Sequence, residues 1–333
     1  MSGQIEAVLP YWLDRPDEEA LEIAVAVRDA GVASLWVGEM VTFDAVALAT
    51  AVGHRAPGLR LKIGPMAIGV RSPVSMALAA ASVATLTGNP VDIALGASSP
   101  AIVSGWHDRE WNHSATRMRE TIGCLRAILA GDGSGYEGRH VRTHGFRLRR
   151  PQPDMRIAVA AFGPAMTRIA ATLADEVVLN LLPPERVRAF RATVESDAAA
   201  AGRPCPRVAV WVPVALEPGA EALAQLSSQL ALYLAPPGYG ELFSELGYTD
   251  LVDRARAGAR RSELAGDIPA ELLRHVSALG SADELTARIS EYHEAGADVV
   301  GVVPSTAEDP AGRAVLTALA NSFPAQRTKE FAP

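Results

Sequence analysis

The residues best placed to do chemistry in this 333-residue sequence follow short apolar runs. The most informative stretch is 157–180, IAVAAFGPAMTRIAATLADEVVLN. The run 157–161, which ends in Ala160 and Ala161, passes through Phe162-Gly163-Pro164 into a helical pattern. In that pattern Met166, Ile169, Ala170 and Leu173 recur at i, i+3, i+4 and i+7. Gly163 suits the N-cap, and Pro164 suits N1, where its missing N–H costs nothing. A strand running directly into a helix offers unpaired N–H donors and a positive dipole end to an anion. Ordinary βαβ turns share this pattern and bind nothing, so local geometry alone does not decide.

Other groups stand after other runs. Glu39 closes "WVGEM", as a proton carrier if burial raises its pKa or as a salt-bridge partner. Ser98 and Ser99 follow the run 91–97 and can hydrogen-bond a ring or a polyol chain. The next segment, GWHDREWNHS, carries His107 and His113, a residue type suited to proton transfer, though surface or capping roles fit too. His107, Asp108 and Glu110 lack convergent spacing for a metal, and none is expected. Arg254, Arg256, Arg260 and Arg261 fit an acidic ligand or a solvated helix face, with Arg256 and Arg260 as i, i+4 neighbours on one helix. No local motif marks a Ser–His–Asp or Cys–His arrangement.

These groups need a scaffold, and eight strand-like runs supply one: 6–10, 34–38, 61–68, 91–97, 157–161, 177–179, 208–214 and 299–304. Helical patterns separate most of them. Leu21, Ala24, Val25 and Arg28 are expected to line one helix that stops at Gly31. Ser281 and Glu284 read as a capping box ahead of Leu285, Ile289 and Tyr292, with Gly296 as the stop. Eight βα units predict an α/β fold, a (β/α)8 TIM barrel with its site at the C-terminal strand ends. A doubly wound sheet is the alternative, weakened because no GxGxxG follows the first run. Two connections are long. One, after strand four, holds a helix and a hairpin around Gly138 and Gly145; the other, after strand seven, spans about 217–281. Long insertions at this face shape pockets or lids. The whole of 1–333 reads as one barrel domain.

Composition narrows the function classes. Apolar residues make up 49 %, enough for a large core, with no run of about 18 strongly apolar residues to span a membrane. The start, MSGQIEAVLPYW, lacks a secretory pattern. Cys124 and Cys205 stand alone and fit a reducing cytoplasm. A net charge of −7 argues against nucleic acid and anionic membrane as partners, and an anionic cofactor would need local positive groups.

Several ordered segments resemble one superfamily: DAGVASLWVGEM, LKIGPMAIGVRSPVSMALAAASVATLTG, DIALGASSP, AAFGPAMTRIAATLADEVVLN, YEGRHVRTHGFRLRRP and LGSADELTARISEYHEAGADVVGVVP. They are similar to luciferase-like flavin and deazaflavin oxidoreductases, most of all to the actinobacterial-type enzymes assigned to coenzyme F420. The likeness covers most of the chain except roughly 230–276. It implies a luciferase-like barrel and hydride transfer between the deazaflavin and a small organic substrate. The alternatives are an FMN-dependent monooxygenase fed by a separate reductase, and a non-catalytic flavin-binding protein. The resemblance places the cofactor against Met66, Ala67, Ile68, Ser98, Ser99, Ala160, Ala161, Phe162, Gly163 and Pro164. It also implies a non-proline cis bond at Met66–Ala67 or Ala67–Ile68. Related deazaflavin enzymes often have His after the acid; Met40 stands here, so Glu39, His107 and His113 are the catalytic candidates. Related barrels pair through helices near strands two to four, and PVSMALAAASVATL suits a homodimer.

Overall fold

The computed structural model describes residues 3–39 and 41–324, so Met40 lies outside the described residues. Eight parallel strands make the barrel: β1 (Gln4–Val8), β2 (Ser34–Val37), β3 (Arg60–Ala67), β4 (Val91–Gly96), β5 (Ile157–Ala160), β6 (Glu176–Asn180), β7 (Arg207–Leu216) and β8 (Val299–Pro304). They pair in chain order, and β8 returns to β1 with Gln4 opposite Val299 and Ala7 opposite Val302, closing the barrel. All eight expected strands are present, with ends shifted by a few residues. Strands covered on both faces read as near-continuous apolar runs, which is why the sequence exposes them.

Alternation decides what fills the barrel. Trp36, Ala94, Ala158, Val178 and Ala209 face inward and form one buried cluster. Trp211 packs edge-on against Trp36 with ring centroids 5.2 Å apart. Two indoles fit because their neighbours are small: a Cβ on Gly301 would lie 2.6 Å from Trp211 Cδ1. Towards the N-terminal end, Lys62 Nζ is 2.8 Å from Glu6 and 2.8 Å from Glu176. Trp36 Nε1 donates to Glu6 at 2.7 Å. All three charged side chains are buried, so each depends on the others. Burial raises the Glu176 carboxyl to about 6; Lys62 opposes that shift and Glu6 adds to it.

The outer core lies between strands and helices. Helix Glu19–Asp29 buries Ile23, Ala24, Ala26 and Val27. This corrects the expected stripe of Leu21, Ala24, Val25 and Arg28: only Ala24 of those four is buried, because the face turned to the strands lies about one position further round. The expected Ser281–Glu284 capping box is present, with Glu284 accepting Ser281 N at 2.7 Å. A hairpin forms from Tyr136–Glu137 and Arg142–Thr143, with Gly145 beyond it rather than in its turn.

The connection after β7 carries helices Ala220–Leu230, Tyr239–Glu245, Thr249–Arg256, Arg261–Asp267 and Ala270–Val276, then a short strand, Ala278–Gly280, beside the end of β7. Its Leu230, Leu234, Phe243 and Leu272 belong to the same buried cluster as the barrel interior, so the insertion packs onto the open end of the barrel. Gln225 fastens it there: its amide donates to Asp14 at 3.1 Å after β1 and accepts Ser305 Oγ at 2.8 Å after β8. Arg256 and Arg260 do not share a helix, since Thr249–Arg256 ends at Arg256 and Gly258 takes a left-handed φ of 87°. Arg254, Arg256 and Arg260 pair with Asp267, Glu241 and Glu263, which matches a solvated, paired face.

Candidate active site at the barrel mouth

The C-terminal strand ends open onto a floor of small residues. After inward Trp36, Ala94 and Ala158, the next inward positions of β2, β4 and β5 are Gly38, Gly96 and Ala160. A Cβ on Gly38 would meet nothing within 4 Å, which leaves space for a flat group. The next inward position of β6 is Asn180, a polar side chain.

Glu39 stands beside this floor. Its Oε2 accepts Ala67 N at 3.1 Å and its Oε1 accepts Arg71 Nε at 2.5 Å. Arg71 also reaches Asp44, at 2.5 Å, and Asp44 caps helix Ala45–Arg55 through Val46 N and Ala47 N. Burial pushes the Asp44 carboxyl up, but hydrogen bonds from Arg71, Ala47 and Val46 outweigh it and hold it below the usual range. Both Glu39 oxygens are therefore engaged in holding the end of β3. Sequence reasoning passed over Arg71, though its place four residues beyond Ala67 was the available signal.

The end of β3 is irregular, with a register shift between Ile63 and Met66. Its cis bond is Gly64–Pro65. This corrects the expectation of a non-proline cis bond at Met66–Ala67 or Ala67–Ile68. A proline amide adopts cis at a cost of about 0.5–1 kcal/mol, against about 3–4 for other residues. Met66 and Ile68 bury their side chains in the outer core, and Ala67 between them is also buried.

Phe162 leaves β5, and Gly163 caps helix Pro164–Leu173 at φ 74°, ψ 159°, a conformation close to glycine-only. A Cβ on Gly163 would meet no protein atom within 4 Å. No acidic side chain occupies the first turn. Among the described residues the Ala165 and Met166 N–H groups, in the first turn at the positive helix end, have no hydrogen-bond partner. Ser98 stands at the exit of β4, the strand paired with β5, exposed and in a left-handed conformation at φ 63°, with Ser99 beside it.

The loop after β4 folds back towards the strand ends. Trp111 Nε1 donates to the Ala97 carbonyl at 3.3 Å, and Ile68, Gly69, Trp111 and Arg117 line a cleft there. His107 ends the π-helix Ala101–Trp106 and is exposed. His113 is also exposed, at the start of helix Ser114–Leu129, and stacks on His140 with centroids 4.6 Å apart. Loss of solvent, then repulsion from His113 and Arg117, lowers the His140 pKa.

Three tyrosines that the sequence did not single out as a group complete the roof. Tyr239 Oη accepts Asn180 Nδ2 at 3.0 Å. Its ring lies 4.4 Å from Phe162 and 4.8 Å from Tyr233. Tyr11, after β1, has its phenol pushed up by burial, with a hydrogen bond from the Val41 backbone N–H and the charge of Arg261 opposing. Among the described residues no cluster of His, Cys, Asp and Glu is arranged to hold a metal. None of their helices is long and apolar enough to cross a membrane.

Known proteins share this architecture. A protein of Mycobacterium tuberculosis described as a coenzyme F420-dependent oxidoreductase is 25 % identical over 342 residues, covering 92 % of this chain and 97 % of the relative. The coenzyme F420-dependent tetrahydromethanopterin reductase of Methanopyrus kandleri superposes with a TM-score of 0.80 at 17 % identity, covering 96 % of this chain and 98 % of that one. An F420-dependent secondary alcohol dehydrogenase gives 0.78 at 17 % identity, covering 97 % and 99 %. The profile of luciferase-like monooxygenases matches residues 11–299. With that match spanning most of the barrel, the chain belongs to the luciferase-like monooxygenase family.

Proposed function

We propose that this protein is a coenzyme F420-dependent oxidoreductase acting on a small organic substrate. The open cradle at Gly163, at the start of a helix free of acidic residues, carries the reading. The full-length likeness to the mycobacterial relative favours the deazaflavin over FMN. Gly163, with the Ala165 and Met166 N–H groups, would hold the cofactor's phosphate. Ser98, Ser99, Ala160, Ala161, Phe162 and Pro164 would flank its polyol chain and ring, and the Met66–Ile68 backbone would support the ring from below. When bound, the deazaflavin gives or takes a hydride at ring carbon C5; the chain supplies orientation and protons.

Glu39 positions that support, since both its oxygens are committed to Ala67 and Arg71. His113 is engaged on His140, which leaves His107 as the loop histidine free to exchange a proton with substrate. The working unit is a two-fold dimer through helix Pro73–Thr87, on which Leu78 and Leu86 are 50 % and 64 % exposed. The unpaired cysteines suit a reducing cytoplasm.

The family's description keeps one second reading: an FMN-dependent monooxygenase supplied by a separate reductase. Single-turnover mixing decides between them. Oxidation of bound reduced F420 on adding substrate, without oxygen uptake, supports the deazaflavin enzyme. Oxygen uptake with reduced FMN supports the monooxygenase, and binding without turnover of either supports a carrier.

A further inference from the structure

The insertion after β7 places a phenol over the barrel mouth, and nothing in the hydride-transfer reading uses it. On β6, Glu176 faces inward to Lys62 and Val178 joins the interior cluster, so Asn180, two residues on, also faces inward at the mouth. Its amide donates to Tyr239 Oη at 3.0 Å. That bond fills an acceptor site of the phenol and fixes where its oxygen sits. Among the described residues, the Tyr239 hydroxyl proton has no hydrogen bond to an acceptor.

The surroundings define what that proton can meet. Phe162 leaves β5 beside the Gly163 cradle, and its ring lies 4.4 Å from Tyr239. Tyr233 closes the other side at 4.8 Å. Gly238 allows this approach: it takes φ 89°, and a Cβ there would sit 3.0 Å from the Phe162 ring. Burial pushes both phenols up, with Tyr233 adding to the shift of Tyr239, and the Asn180 amide offsets only part of it. Tyr239 therefore keeps its proton across the working pH range and acts as a donor.

We infer that Tyr239, held by Asn180, is a substrate-binding residue that donates a hydrogen bond to the oxygen of a neutral carbonyl compound whose planar apolar body lies along Phe162 and Tyr233. The assignment rests on the proposed F420 reading for the neighbouring cofactor, but not for the phenol itself. A single donor among aromatic walls selects one acceptor oxygen on a flat, uncharged body, such as an aryl or alkenyl ketone or aldehyde. The groups in contact with Tyr239 are an amide and two aromatic rings, none of them charged. No bond is made or broken on Tyr239; it orients the carbonyl.

Acetophenone labelled with 13C at the carbonyl is the probe. It is titrated into the full chain with and without F420, and the carbonyl resonance and Kd are read together, with cofactor binding followed by absorbance in the same samples. The wild type is expected to bind the ketone and move its carbonyl resonance downfield. Tyr239→Phe keeps the ring but should lose the shift and bind about tenfold more weakly. Asn180→Ala, folded by thermal melt, should reduce the shift as well. An unchanged shift and Kd in Tyr239→Phe, or no binding by the wild type, overturns the assignment. Failure of F420 to bind strikes the cofactor reading alone, because the cofactor-free titration still judges Tyr239.

Discussion

Glu39 and Ala67 are joined by a hydrogen bond of 3.1 Å from the Ala67 N–H to Oε2, so the acid at the end of β2 holds the irregular end of β3. Ala67 is buried, and without this acceptor its N–H would be unmet. The partly exposed Arg71 pair contributes less. Glu39→Ala should therefore lower unfolding free energy by about 1–3 kcal/mol, the cost of an orphaned buried donor. Glu39→Gln keeps an acceptor oxygen and should recover most of that loss. Urea denaturation measures both; equal losses in the two variants would show that the charge pair, rather than the N–H, is what matters.

Gly163 tests the cradle. Its conformation disfavours any side chain, while the space in front of it holds no protein atom. Gly163→Ala is thus expected to cost about 1–3 kcal/mol of stability from backbone strain. The folded fraction should also bind F420 at least tenfold more weakly, because the new methyl occupies the ligand's space. Isothermal titration on melt-checked protein reads this, and wild-type affinity in the variant would move the phosphate elsewhere.

The interior ion cluster gives a pH dependence with a definite sign. Glu176 has a folded pKa of about 6, raised above its ordinary 4.5 by burial. The folded state therefore holds this proton more tightly than the unfolded chain. The stability it lends is complete below about pH 4.5 and is lost as pH rises through 6, a change of about 2 kcal/mol. Glu176→Gln removes the titration. The stability of the variant minus that of wild type should rise by about that amount between pH 4.5 and 7. A difference that stays flat with pH would mean Glu176 is already ionised throughout.

The loop histidines should separate. His113 is stacked on His140, whereas His107 stands free at the end of the π-helix. With acetophenone and reduced F420, His107→Gln is expected to lower turnover roughly 10²-fold, the size of a general acid–base contribution. His113→Gln should leave turnover nearly unchanged. Normal turnover in both variants would leave proton supply to Glu39, a tyrosine or water.

Assembly can be checked without cofactor. Light scattering at micromolar concentration should give twice the 35.0 kDa chain mass, and Leu78→Glu with Leu86→Glu should halve it. A wild-type monomer across that range would refute the pairing helix.

The barrel was legible because burial on both faces leaves each strand as an apolar run, and because helix signals such as Ser281 with Glu284 are local. Gly163 and Pro164 were legible for the same reason: cap and turn lie within two residues. Tyr239 was not, since its partner Asn180 is 59 residues away and nothing in an insertion of short helices announces which strand end it covers. The arginines read as a shared helix face from spacing alone, but Gly258 breaks the helix between Arg256 and Arg260. The resemblance places the cis bond at Met66–Ala67 or Ala67–Ile68, whereas it falls at Gly64–Pro65, where the amide is that of a proline.

Cofactor choice decides the central claim most directly. The purified full chain is titrated in parallel with F420 and with FMN, each followed by absorbance at its ring wavelengths, under identical salt and pH. The account predicts saturable F420 binding, at least tenfold tighter than FMN and weakened by Gly163→Ala. Tighter binding of FMN, or F420 binding that ignores Gly163, would contradict it.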